Sequence, residues 1–184
     1  MKMADGGWRP AYNIQYAVDT ESLAAVGVYV SQAGNDMGLM MPMIAQLQHR
    51  FPEKTLQDYL MDGGFVKHED ICKAARLGMT VLAPVRKSKG DTNDAARYEP
   101  RPGDPEEVKQ WRHRMSLDAA KTQYKGRAAS IELFNAQARN HELQRLPVRG
   151  LAKVLAVALW YAITHNFSRY LSHIKNSFSL PQFF

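Results

Sequence analysis

An α/β fold is predicted by three observations. The chain opens with strand-like alternation over residues 12–30, a strand–helix–strand succession follows over residues 56–83, and helical periodicity fills almost everything after residue 105. With 184 residues and 45% hydrophobic content the chain can bury one sizeable core, so one domain running through it is expected. Its core strands and helices fall in residues 10–85, a polar loop in 86–104, and a helical C-terminal part in 105–176.

Tyr12-Asn13-Ile14-Gln15-Tyr16-Ala17-Val18 alternates as a strand does, and Leu23 to Val30 reads as its antiparallel partner across the turn Asp19-Thr20-Glu21-Ser22. Met37, Met40, Met41, Ile44 and Leu47 then recur at helical spacing, which predicts an amphipathic helix over 37–50 with its regular hydrogen bonding after Pro42. This methionine stripe reads as core packing. A short strand from Leu56 to Met61 ends on Asp62 and is followed by Gly63-Gly64. A helix from Lys67 to Leu77 is stopped by Gly78, and a second strand runs from Met79 to Ala83. Strand, helix, strand predicts a right-handed crossover between parallel strands. Asp62 therefore belongs at the carboxyl end of a parallel strand, where diverging connections leave a crevice. Residues 86–104, rich in Gly, Pro, Lys and Asp, form a polar and mobile loop. Asp104-Pro105-Glu106-Glu107 reads as a helix start, with Asp104 as the cap and Glu107 completing a capping box. Helices over 105–115 and 117–141 precede a break at Pro147, and Leu151, Val154, Leu155, Ala158, Leu159 and Ala162 mark the apolar face of a long final helix.

Charge points to an anionic partner. The net charge is +6 and the pI about 9.5, and the excess lies in the second half. From Val108 onward twelve Lys and Arg face three Asp and Glu, whereas the residues before it carry twelve and fifteen. A nucleic acid is the natural partner for such a surface. The single cysteine, Cys72, excludes an internal disulfide and sits in an alanine-rich helical stretch where it packs as a small apolar residue. The six histidines form no HxxxH or HxH pair; His49, His68 and His141 fall at helix ends, and no Walker-type loop occurs. The start has no apolar signal region, and the longest apolar run, Val154 to Ile163, is too short to span a bilayer, so a soluble intracellular protein is expected.

Asp62 at a strand end and Glu132 in a helical run are the residues that suggest chemistry. Carboxylates from distant segments, placed by rigid elements among cationic side chains, suit divalent-metal chemistry on phosphodiesters, because hard oxygen ligands hold the ion while Arg and Lys hold the phosphate. The order of elements is similar to that of an RNase H-like nucleotidyl transferase core that is incomplete: such a core opens with three antiparallel strands, and only two precede the first helix here. The residues resemble the DDE transposases of bacterial insertion sequences. Tyr12-Asn13-Ile14-Gln15 with Val18-Asp19 looks like that family's second strand, Asn35-Asp36 like the polar pair opening the first core helix, and Asp62-Gly63-Gly64-Phe65 like the segment of the second catalytic aspartate. Tyr124-Lys125-Gly126-Arg127 through Ile131-Glu132 to Arg139 is similar to the family's tyrosine, arginine, glutamate, lysine signature, with Arg139 in place of the lysine. Arg149-Gly150-Leu151 and His165-Asn166 resemble its closing segment.

The resemblance implies that Asp62 and Glu132 are catalytic and ligate Mg²⁺ or Mn²⁺, and that Tyr124, Arg127 and Arg139 bind DNA. On a helix Tyr124 and Arg127 stand three apart, and Arg139 lies two turns beyond Glu132 on one face. The third carboxylate of the family belongs on the first strand, which is missing; Asp19 reads as a turn residue, and Asp5 lies in a glycine-rich start. The chain is thus expected to be the C-terminal part of a transposase that cleaves and transfers DNA strands, inactive by itself. Its implied partners are transposon ends and target DNA, with homo-oligomerisation in the full-length enzyme, no membrane, and a cytoplasmic, nucleoid-associated location. A non-catalytic DNA-binding remnant and a metal-dependent nuclease of the same fold are the rival readings.

Overall fold

The first hairpin is closed by its own turn residues. In the computed structural model, which describes residues 7, 11–140 and 146–177, β1 (Asn13–Val18) and β2 (Ala25–Ser31) pair antiparallel from Asn13 opposite Ser31 to Val18 opposite Ala25, with a bulge between Ala17 and Val18. Asp19 Oδ2 accepts from the Ser22 hydroxyl at 2.6 Å and the Ser22 amide at 2.7 Å. The Ser22 hydroxyl, against a smaller opposing effect of burial, holds the Asp19 carboxyl below its usual range. Asp19 is therefore a turn residue, as its neighbours in the sequence indicate. Asp5 and His141 lie outside the described residues.

Contacts gather the chain into two units, residues 1–32 with 130–184, and residues 33–129. In the first, the hairpin packs with α5 (Leu151–Ser177) and the second half of α4 (Asp118–Asn140). Val28, Phe134, Ala158 and Tyr161 form its interior, and the Tyr16 ring lies 4.6 Å from that of Phe134. Both phenols are satisfied: Tyr161 donates to the Phe134 carbonyl at 3.0 Å and Tyr16 to the Ala158 carbonyl at 3.4 Å. Burial pushes the Tyr16 phenol far up. His165 and Asn166 fasten α5 to the hairpin. His165 Nε2 meets the Leu23 carbonyl at 2.8 Å, and the Asn166 amide accepts from the Ala25 N–H at 2.7 Å and donates to its carbonyl at 2.8 Å, as a paired strand would. Of the expected apolar face of this helix, Val154, Ala158 and Ala162 are buried, while Leu151 is 45% exposed. The inward face instead continues through Tyr161 and His165.

The second unit is built on α1 (Met40–Arg50), the parallel pair β3 (Asp58–Leu60) and β4 (Thr80–Leu82), α2 (His68–Arg76) between them, α3 (Glu106–Ser116) and the start of α4. Asp58 pairs with Thr80 and Leu60 with Leu82, the parallel arrangement the sequence predicts. Gly78, at φ 75°, ends α2 in the left-handed region that a side chain enters only at a cost. Pro42 falls within the first turn of α1, where its missing N–H leaves no helical bond unmade, and the helix starts at Met40 and not at Met37. Met40, Met43, Ile44 and Leu47 are buried, whereas Met37, ahead of the helix, is 51% exposed. Cys72 packs in the core with Ile71, Val81, Leu82, Val108 and Trp111.

Two expectations for residues 86–107 are corrected. The loop is pinned: Arg101 Nη2 reaches both Asp91 carboxylate oxygens at 3.0 and 3.1 Å, Asp91 Oδ2 accepts from the Ser88 amide at 2.6 Å, and a short 3₁₀ turn spans Ala96–Tyr98. Asp104 does not cap α3. Pro105 stands at the cap without a side-chain bond, and Asp104 Oδ2 instead accepts from Arg112 Nε at 2.7 Å and from the Arg101 amide at 3.0 Å. Arg112 is 3% exposed, and a guanidinium that deep needs a carboxylate more than the helix start needs a cap.

Candidate functional site

Asp62 follows β3 in extended conformation, one residue past Met61, whose amide still bonds to the Leu82 carbonyl across the parallel pair. Its Oδ1 accepts from the Gly64 amide at 3.2 Å, so it caps the 3₁₀ turn Gly63–Phe65. Its Oδ2 lies 3.5 Å from Arg127 Nη2. The side chain is 62% exposed and that of Arg127 24%. The carboxylate thus stands at the open end of the strand, oriented by a backbone N–H and faced by one guanidinium.

Arg127 is itself held by Tyr124, one turn earlier on α4, with its guanidinium carbon 5.8 Å from the ring centroid. Tyr124 is half-buried against the core of its unit. Burial first, and the Asp62 charge after it, raise the phenol, while Arg127 acts in the opposite sense. Asp62, Tyr124 and Arg127, drawn from two stretches some sixty residues apart, therefore meet in one place.

One neighbour, Arg86, escapes a reading of the sequence, and another, Asp36, is marked there only as half of the polar pair Asn35-Asp36. A Cβ built on Gly64 would lie 3.7 Å from Asp36 Oδ2 and 3.9 Å from Arg86 Nη2, and one on Gly63 would lie 3.8 Å from Arg86 Nε. Asp36 and Arg86 therefore flank the two glycines that follow Asp62. Arg86 emerges shortly after β4, at the same end of the parallel pair as Asp62. Its position past the second strand is the signal that identifies it, by the crevice rule that singles out Asp62.

Glu132 and Arg139 lie on the part of α4 that belongs to the other unit. Both are exposed, Arg139 in the last turn, on a helix whose inward positions are Ser130, Phe134 and Ala138. Within its own unit Asp62 is a carboxylate already paired with a guanidinium, and among the described residues no three His, Cys, Asp or Glu side chains form a metal-binding group. Such a carboxylate by itself falls short of a divalent-cation site. No helix among the described residues is long and apolar enough to cross a membrane.

Comparison with known proteins supplies one match. Residues 86–171, just under half of the chain, match the family described as the transposase DDE domain. No curated protein and no solved structure matches the chain. The matched segment holds Arg86, Tyr124, Arg127, Glu132 and Arg139, and Asp62 lies before it. The resemblance drawn from the sequence is borne out by this match.

Proposed function

We propose, from the premise that this chain carries transposase DDE domain sequence over residues 86–171, that it serves the cleavage and transfer of DNA strands in the transposition of an insertion sequence. The observation that carries this reading is the meeting of Asp62 with Arg127 and Tyr124. A carboxylate at a strand end is joined there by the tyrosine and arginine of the family-matched helix. In this reading the full catalytic core is RNase H-like, and Asp62 and Glu132 are the carboxylates that hold Mg²⁺ or Mn²⁺ in it. Arg127 and Arg139 hold DNA phosphates, and Tyr124 positions Arg127 and stacks on the nucleic acid. Until phosphate arrives, the Asp62 carboxylate occupies the Arg127 guanidinium. An incoming phosphate competes for that cation and frees the carboxylate.

The excess of twelve Lys and Arg over three Asp and Glu from Val108 onward suits a second reading equally, a DNA-binding chain without catalysis of its own. The two readings part in one pair of assays. Binding of a labelled duplex, followed by anisotropy across a salt titration, should weaken steeply with salt in either case, and Arg127→Ala should reduce the magnitude of the log–log slope by about 1. Nicking of supercoiled plasmid in Mn²⁺ should be absent for the isolated chain. Nicking that disappears in Glu132→Gln would establish catalysis by this chain, and salt-insensitive binding unaffected by Arg127→Ala would remove the DNA reading altogether.

A further inference from the structure

We infer that the outward face of α5 is a self-association seam that takes α5 of a second copy of this chain. Ala156, Trp160, Ile163, Phe167, Tyr170 and Ile174 follow one another at alternating intervals of four and three residues. That is the 3.5-residue repeat that keeps one stripe facing a partner helix over successive turns. The stripe is uncovered: Trp160 is 70% exposed, Ile163 58%, Phe167 60% and Tyr170 61%, with Leu171 beside them at 41%. At about 100° per residue, it lies on the side of the helix opposite Val154, Ala158, Tyr161 and His165, which are buried in the unit's own interior. The helix is therefore apolar on two opposite faces, and among the described residues only one of them is buried. A helix of that kind belongs between two layers.

The chemistry of the stripe selects its occupant. In a chain of net charge +6, no Lys, Arg, Asp or Glu stands at the positions that would flank the seam between residues 157 and 173, which are Val157, Leu159, Thr164, Asn166, Leu171 and His173. Nothing there attracts phosphate, so the face is not a DNA surface, and nothing repels an identical copy. The five large residues present about 600 Å² of accessible surface, taking roughly 150–250 Å² for a whole aromatic side chain and scaling by exposure. Two copies joined about a two-fold axis would bury about 1,200 Å², the lower edge of stable protein interfaces. The proposal does not depend on the transposase reading, since it rests on residues that take no part in the candidate site.

The test is sedimentation of the full 184-residue chain across the micromolar range, with and without Phe167→Glu, together with the emission of Trp160 followed in a chain whose other tryptophans are replaced by Phe. A concentration-dependent dimer with a matching blue shift is expected. Phe167→Glu should raise the dissociation constant at least about tenfold, because the interface would then bury two unpaired carboxylates, one from each copy. The substitution is at an exposed position, and unchanged far-ultraviolet circular dichroism will show that the variant folds. Ser168→Glu, one residue away on the helix, should leave the dimer intact. A chain that stays monomeric throughout, a dimer indifferent to Phe167→Glu, or a blue shift produced only by phosphatidylcholine–phosphatidylglycerol vesicles would overturn the proposal, the last by assigning the stripe to a lipid surface.

Discussion

At the scale of single residues, the molecule sets apart charges buried to hold the fold from charges gathered at the candidate site. Asp104 and Arg112 are of the first kind: their side chains are 8% and 4% exposed and joined at 2.7 Å. Burial alone would lift the Asp104 carboxyl, but hydrogen bonds from the Arg101 amide and from Arg112 outweigh it and leave the group below its ordinary value. A carboxyl depressed in the folded state stabilises the protein above the pKa of the unfolded chain, about 4. That contribution is lost as the pH falls through the lower folded value, so urea midpoints should drop on acidification below about pH 4 and much less so in Asp104→Asn. Removing the partner is harsher. Asp104→Ala leaves a buried guanidinium unpaired and should cost about 3–5 kcal/mol in denaturant titrations. Asp62 and Arg127 are of the second kind, more exposed and 3.5 Å apart, and Asp62→Asn should change stability little while altering DNA affinity. Asn166 belongs with the fold. It replaces a strand neighbour for both polar groups of Ala25, and Asn166→Ala should cost about 1–3 kcal/mol, as unfolding by heat or urea will report.

At the scale of elements, the strands and helices were legible because their residues carry periods, and the errors arose where a long-range partner outbid a local signal. The hairpin, the parallel pair β3 and β4, and the helices α2 to α5 lie within a few residues of their predicted positions. Asp104-Pro105-Glu106-Glu107 has every local mark of a cap, yet the aspartate is taken by Arg112, eight residues on. The same holds around α1, where the core accepts Met43 within the helix and leaves Met37, ahead of it, exposed. The candidate site was half legible. Asp62 announced itself by its place after a strand and Arg127 by its motif, whereas Arg86 carries no motif and becomes visible only once β3 and β4 are known to pair. Gly126 tests the helix that holds Tyr124 and Arg127. A Cβ there meets nothing within 4 Å, so Gly126→Ala should stabilise the protein by about 0.5–1 kcal/mol without steric penalty, seen as a shift in urea midpoint. Gly78→Ala should do the reverse by about 1 kcal/mol, because the strain of φ 75° falls on the new side chain.

At the scale of the whole molecule, the contacts fall into a unit that is continuous in sequence, residues 33–129, and one assembled from the two ends, residues 1–32 and 130–184. The hydrophobic pattern along the chain names the core residues but not which core each one joins, since Phe134 and Trp111 look alike as buried aromatics and belong to different clusters. Phe134→Ala should cost about 3–5 kcal/mol and loosen the discontinuous unit first, as amide exchange resolved by segment will show. The arrangement also has a consequence for synthesis. The ribosome releases the β1–β2 hairpin before the continuous unit, but the groups that cover it, the Ala158 carbonyl over Tyr16 and the Asn166 amide on Ala25, arrive more than 140 residues later. During that interval the continuous unit can close on contacts already delivered, while the hairpin waits with its apolar face bare, the period in which a nascent chain is most open to chaperones and to mispairing. Chains truncated near residue 135 and released should therefore resist protease across 33–129 and remain cleavable in the hairpin, so that α5 is what commits β1 and β2, made more than 140 residues before it, to their place.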